Sequence, residues 1–285
     1  MTAALRKRGL DWLLNAYAGL ALIYLLVPIA VIIVFSFNDP IGRFNFVWEQ
    51  FSLDAWKHPF AVQGVGDALK TSIQIAALST VIATALGTLT ALALVRYEFK
   101  GRSPVNFFIF IPLATPEVVL GAALLSQFLN WGTPQLGFAT ILIAHVMFNL
   151  SCVVITVRSR LIGFDRSLEE AAQDLGATPW ETFRLVTLPL IMPGVAAAAL
   201  LAFALSIDDF VITNFNSGST ITFPLFIWGA ARVAVAPQIY VIATMIFLFT
   251  VAMMILTVWQ QRRADKMAAV RPDDTELAAL EPAPA

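Results

Sequence analysis

The sequence predicts an all-α integral membrane protein of six transmembrane helices, and three observations carry that prediction. Of the 285 residues, 59% are hydrophobic and 13% charged, against roughly 25% charged in soluble globular domains. A spanning helix takes about 20 mostly apolar residues, and predominantly apolar windows of that size lie at 14–37, 71–95, 105–129, 139–157, 186–213 and 238–261. The basic residues segregate on the resulting topology. Arg6, Lys7, Arg8, Arg96, Lys100, Arg102, Arg158, Arg160, Arg166, Arg184, Arg262, Arg263, Lys266 and Arg271 fall on one side, 14 of the 18. Arg43, Lys57, Lys70 and Arg232 fall on the other. The positive-inside rule then puts both termini and the 158–185 loop in the cytoplasm.

The elements follow in order. Residues 1–13 form a cytoplasmic N-terminus, and the uncharged run from Trp12 to Asn38 is too long for a signal-peptide core and lacks a cleavage site, so it reads as the first span. The outer loop at 38–68 carries Phe44, Phe46, Trp48, Phe51, Trp56 and Phe60. Such aromatics sit at headgroup level, and they are also available as a docking surface for an extracytoplasmic protein. The third span contains Pro112 and Pro116 within IPLATPEVVLG. Proline removes a backbone donor and clashes with the preceding turn, so this helix is expected to kink or unwind near its middle. The stretch 210–231 is uncharged, but Ser217-Gly218-Ser219, Pro224 and the charge count argue against a seventh span. An outer loop at 214–237 with a short helix near Phe223 to Arg232 is expected instead, packing back over the outer mouth. The tail at 264–285, rich in Ala, Pro, Asp and Glu, is expected to be disordered.

Composition excludes several chemistries. The single cysteine, Cys152, forms no intrachain disulfide and no thiolate cluster, and His58 and His145 are far apart, so no metal site is supported. There is no G-x-S-x-G elbow and no H-E-x-x-H pair. A phosphate-binding G-x-x-x-x-G-K-[ST] loop is missing as well, which assigns any ATP chemistry to another polypeptide. Nothing points to nucleic acid.

Three acids remain inside the spans: Glu117, Asp208 and Asp209. A carboxylate near the bilayer centre costs about 2.5–3.5 kcal/mol on insertion scales, so such groups face a wet cavity or a partner. At about 1.5 Å per residue Glu117 lies about 20 Å along its helix, near mid-membrane. The two aspartates lie nearer the outer side, and neighbours on a helix diverge by about 100°, so one of them suffices to face a path. No Lys or Arg in the spans is available to pair with them. One reading has the acids capping backbone freed by Pro116 or by the helix end after Thr213. The other has them lining a path for a cation, with Trp131, Phe210 or Trp228 offering aromatic faces.

The one charge-dense passage is DRSLEEAAQDLGATPWETFRLVTLP, from Asp165 to Pro189. Ser167-Leu168-Glu169-Glu170 has the form of a capping box. Leu168, Ala171, Ala172 and Leu175 form an apolar stripe backed by Glu169, Gln173 and Asp174. Gly176 suits the left-handed residue that ends the helix, and Thr178-Pro179-Trp180-Glu181 starts another. Alone, a helix of this length is marginal in water and needs a partner surface.

Glu170-Ala171-Ala172, three residues, Gly176, nine residues, Val186, one residue and Leu188-Pro189 resemble the EAA signature of ATP-binding-cassette importer permeases, with Val186 where isoleucine is usual. The resemblance implies a type I importer permease fold over 14–263. It makes the helix from Ser167 to Gly176 a cytoplasmic coupling helix that inserts into an ATPase subunit. IPLATPEVVLGAALL, AHVMFNLSCVVITVRSRL, SLEEAAQDLGATPWETFRLVTLPLIMPGV and LAFALSIDDFVITNF together look like the second permease subunit of spermidine/putrescine importers. That likeness implies a multi-pass protein of the bacterial inner membrane with no cofactor of its own, ATP and Mg being held by a partner ATPase dimer. A second homologous permease and an extracytoplasmic solute-binding protein complete the implied assembly. It also implies polyamine passage along Glu117, Asp208 and Asp209. Two alternatives stand beside it: an importer permease for another small solute, and an ion-driven secondary transporter using the same acids as relays, against which stand the EAA pattern and the lack of an internal repeat.

Overall fold

Long apolar windows, two prolines and a few glycines give a helical chain. The computed structural model describes residues 2–132, 135–163 and 165–269. Its helices are α1 (Thr2–Phe35), α2 (Asp54–Lys57), α3 (Val65–Arg96), α4 (Arg102–Ala114), α5 (Glu117–Asn130), α6 (Phe138–Ile162), α7 (Ser167–Asp174), α8 (Pro179–Thr182), α9 (Leu188–Asp208), α10 (Val211–Asn216), α11 (Phe223–Val233) and α12 (Pro237–Ala269), with a π-helical turn at Phe183–Thr187 joining α8 to α9. Among the described residues four helical stretches are long and apolar enough to cross a membrane: Trp12–Phe35, Val65–Arg96, Phe138–Ile162 and Pro179–Asp208. Counting the broken pair α4 and α5 as one span makes five, and α12 adds a shorter apolar stretch, Pro237–Ala252.

Two units make up the chain: Gln63–Arg232, and Met1–Val62 together with Val233–Ala285. In the first, α3, α6 and α9 pack on one another around Ala83, Ala91, Val153, Val157, Ile191 and Ala198, all fully buried. Small residues let the backbones approach, as is usual where lipid gives no hydrophobic drive. At Gly87 an added Cβ would stand 2.6 Å from a Val153 methyl, and at Gly194 one would stand 2.9 Å from the Arg160 stem.

The third span breaks more sharply than the expected kink. α4 ends at Ala114, and α5 leaves at 111° to it. Thr115 is extended, as a residue before proline prefers, and its N–H and hydroxyl both donate to the Ile111 carbonyl, at 3.0 and 2.7 Å. The break falls at Pro116; Pro112 stays inside α4. The expected fifth span, 186–213, is also corrected. Its helix stops at Asp208, and Asp209 is extended before α10 begins. The expected short outer helix is α11, whose Phe223 N–H donates to Ser72 on α3 at 2.8 Å.

The second unit is organised by asparagines. Buried Asn38 donates to Asn45 Oδ1 at 2.6 Å and to the Val47 carbonyl at 2.7 Å, while Asn45 donates to the Phe35 carbonyl at 2.8 Å. Tyr240 of α12 donates its hydroxyl to the Asn45 carbonyl at 3.1 Å. The loop aromatics stack on one another, Phe37 lying 5.2 Å from Trp56 and 5.8 Å from Phe51, centroid to centroid. Phe46, Phe51 and Phe60 remain exposed. α12 is helical to Ala269, and the disorder expected of the tail falls, from residue 270 onward, outside the described residues.

Candidate functional site

The two helix breaks open onto one cavity of about 550 Å³, within the usual range for small-molecule sites. It is lined by Glu117, at the start of α5, by Asp208, Asp209 and Phe210 at the α9/α10 break, and by Phe148 and Cys152 of α6 among others. The structure thus brings together four of the six residues expected along a path. Glu117 and Asp208 are exposed at this cavity and, among the described residues, make no side-chain hydrogen bond or ion pair. Glu117 sits in the first turn of α5, where unpaired N–H groups favour a negative charge.

Asp209 also lines the cavity, but its hydrogen bonds follow the capping reading. Its side chain is only 6% exposed. One oxygen accepts from the Ile212 N–H at 3.3 Å, and the other accepts from the Thr213 N–H and hydroxyl, each at 2.7 Å. These are free donors of the first turn of α10, whose N-cap residue is Phe210, so Asp209 caps the helix from one residue upstream. It also pairs with a cation-capable group that a search for Lys and Arg passes over: His145 Nε2, on α6, lies 3.3 Å from Asp209 Oδ2. Thr213 spends its hydroxyl proton on Asp209, so its oxygen accepts from His145 Nε2–H, at 2.9 Å. The other ring nitrogen meets Ser206 Oγ at 2.6 Å, and Ser206 meets Ser79 Oγ at 3.0 Å. One imidazole therefore fastens α3, α6, α9 and α10. The signal in the sequence is His145 and Asn149 at i, i+4 within an apolar span, since two polar residues on one helix face there need partners.

Two aromatic candidates lie elsewhere. Trp131 is 71% exposed at the end of α5, edge-on to Phe128. Trp228 contacts Phe210, at 5.0 Å between centroids, but its ring already carries the Arg232 guanidinium at 4.7 Å.

The second candidate surface is α7. The expected box at Ser167 does not form: Arg166 is the N-cap residue, in helical conformation and without a side-chain cap bond, and the Ser167 N–H donates to Asp165 Oδ1 at 3.0 Å. That N–H, and then the Ser167 hydroxyl, hold the Asp165 carboxyl below the usual carboxylate range. Gly176, at φ +89°, ends the helix, with Ala177 N–H on the Ala172 carbonyl and Gly176 N–H on that of Gln173, the paired bonds of a Schellman motif. The box at Thr178 does form, Thr178 N–H donating to Glu181 Oε2 at 2.8 Å and Glu181 N–H to Thr178 Oγ1 at 3.3 Å.

Glu169, expected on the polar back of α7, points inward. It pairs with Arg96 at 2.6 Å and accepts from Thr187 at 2.5 Å, while Arg166 donates to the Val95 carbonyl at 3.1 Å. These bonds pin α7 to the end of α3 and to the π-helical turn that precedes α9. The opposite stripe is uncovered: Leu168 is exposed and Leu175 is 90% exposed. Glu170, Ala171 and Asp174 are exposed too.

Comparisons with known proteins converge on this architecture. Residues 83–266 match the family model described as binding-protein-dependent transport system inner membrane component. The chain is 39% identical over 233 residues to the spermidine/putrescine transport system permease protein PotC of Escherichia coli K12, covering 81% of this chain and 87% of that one. It is 36% identical to the protein of the same name from Haemophilus influenzae over 247 residues, 86% and 95% of the two chains. It is also 38% identical to the putrescine transport system permease protein PotI of Escherichia coli K12, over 78% and 81%. Among solved structures, a bacterial ABC transporter involved in alginate import superposes with TM-score 0.64 at 18% identity, over 92% of this chain and 97% of that chain. That likeness speaks for the fold alone. On the family match and on the identity to these relatives, the chain belongs to the binding-protein-dependent transport system inner membrane components.

Proposed function

We propose that the chain is a permease subunit of an ATP-driven importer that carries polyamines, putrescine or spermidine, or a related small organic cation, into the cytoplasm. The observation that carries the substrate class is the meeting of Glu117 and Asp208, unpaired, at one cavity between two helix breaks. Unpaired acids in a low-dielectric setting attract ammonium groups and repel anions. The names of the relatives at 36–39% identity support the same class.

In this reading six spans cross the inner membrane, with α4 and α5 as a broken third and α12 as the sixth, and both termini are cytoplasmic. α7 is the coupling helix. Its uncovered Leu168 and Leu175 enter the ATPase subunit, and Glu169, Arg96 and Thr187 pass the displacement to α3 and α9. ATP and Mg are held by that ATPase dimer, and a second permease and an extracytoplasmic solute-binding protein complete the assembly. Two arrangements of the spans, each favoured by a different ligand state, give import.

Glu117→Gln is expected to reduce polyamine uptake by reconstituted transporter about tenfold or more, the scale of one partly desolvated charge pair, while co-purification with the ATPase persists. Unchanged uptake refutes the cationic path. Deleting 167–176 is expected to abolish binding-protein-stimulated ATPase activity.

A further inference from the structure

Adjacent aspartates at the α9/α10 break are treated differently by the fold. Asp209 Oδ1 accepts from the Ile212 N–H, while Oδ2 accepts from the Thr213 N–H and hydroxyl and faces His145 Nε2 at 3.3 Å. With its side chain 6% exposed, it offers a ligand's ammonium group far less than the exposed Asp208 does. The local donors belong to α10 and travel with it; the distant one is His145. That ring is held in turn, 1% exposed, by Ser206 at Nδ1 and through it by Ser79.

We propose that His145 is a positioning residue that sets the number of carboxylates offered to the ligand at two, drawing Asp209 into the helix interface and leaving Glu117 and Asp208 at the cavity. Without the imidazole, Asp209 Oδ2 keeps its two Thr213 donors but loses the one polar group facing it from α6, and a less compensated buried charge turns toward water. The cavity then carries three free acids. Resting on the polyamine reading, this has a selectivity consequence: two acids match a diamine, and a third favours a triamine.

The first test does not depend on the substrate. The intact transporter in vesicles is treated with a water-soluble carbodiimide and a small amine, and modified residues are located by fragment mass spectrometry. In the unsubstituted protein Asp209 is expected to react at least about tenfold more slowly than Asp208, the ratio a ~1.4 kcal/mol bias gives. In His145→Asn, whose amide stops short of the Nε2 position, Asp209 is expected to react as fast as Asp208. His145→Gln, whose amide reaches that position, is expected to retain protection. Ser206→Ala keeps the ring but frees Nδ1, and its intermediate labelling carries the test if His145→Asn does not assemble. Equal labelling of both aspartates in the unsubstituted protein overturns the proposal, as does unchanged protection in the His145→Asn or Ser206→Ala protein.

The second test is uptake. His145→Asn is expected to raise the ratio of kcat/KM for spermidine over putrescine about fivefold, within the range of one added charge contact, and His145→Asn with Asp209→Asn returns it. General structural damage lowers both rates and leaves the ratio unmoved, and that outcome overturns the proposal. Uptake indifferent to Glu117→Gln defeats the substrate reading instead, and the labelling result still decides the role of His145.

Discussion

The α4/α5 break and the α9/α10 break stop apolar helices in the same way and are built by opposite means. Each is followed by a further helix, α5 and α10, and these two pack together, with Asn216 donating to the Gly121 carbonyl at 3.4 Å. At the first break the chain is turned by local chemistry. Pro116 has no N–H to give, and Thr115 closes α4 on the Ile111 carbonyl with its own N–H and hydroxyl. No side chain caps the first N–H groups of α5, and Glu117, already inside the first turn, stays free. At the second there is no proline. The freed donors of α10 take a carboxylate, and that buried carboxylate takes an imidazole from another helix. An acid already inside the first turn of the helix after a break is left open to a ligand, and an acid just upstream of that helix is consumed as its cap.

Removing the acid at the second break tests this most severely. Asp209→Ala leaves the Ile212 and Thr213 N–H groups and the Thr213 hydroxyl without their acceptor, and several unsatisfied donors together cost about 3 kcal/mol or more. Asp208→Ala, exposed at the cavity wall, is expected to change stability by about 0.5 kcal/mol at most. Melting midpoints in detergent measure both. Similar shifts would mean that the two aspartates share the capping role.

The contact between α5 and α10 comes next. At Gly121 an added Cβ would lie 2.7 Å from Phe215 Cδ2 and 3.4 Å from the Ile212 Cα. The ring can turn, whereas the backbone of α10 cannot easily move. Gly121→Ala is expected to be tolerated, and Gly121→Val to cost about 2 kcal/mol by overpacking and to slow uptake by disturbing both breaks. A Gly121→Val protein that melts and transports normally would show the breaks to be independent.

Local rules made the first break readable in the sequence and left the second hidden. Pro116, Gly176 and the Thr178 to Glu181 box act within a few residues, and each forms as its residue types dictate. Ser167 fails because a better-placed acceptor, Asp165, stands two residues upstream and takes the N–H first. Periodicity places Glu169 on the polar back of its helix, but Arg96, far away in the chain, draws it inward. Asp209 and His145 likewise meet only through the packing of α6 against α9 and α10, which no spacing rule encodes. Trp228 stood within reach of local reading, since Arg232 at i+4 covers its ring.

The mildest comparison makes the same substitution at both breaks. Thr115→Val removes a hydroxyl whose acceptor, the Ile111 carbonyl, keeps the backbone N–H of residue 115. Nothing buried is orphaned, and a loss of about 0.5 kcal/mol is expected. Thr213→Val removes a hydroxyl that donates to Asp209 and accepts from His145, in a residue with no exposed surface. Two buried polar groups each lose a partner while the shape is kept, so about 1.5–2 kcal/mol is expected. The larger loss at Thr213, read as the difference in melting midpoint between the two valine proteins, follows only if the second break rests on a buried network and the first on proline; a larger shift for Thr115→Val would reverse that assignment.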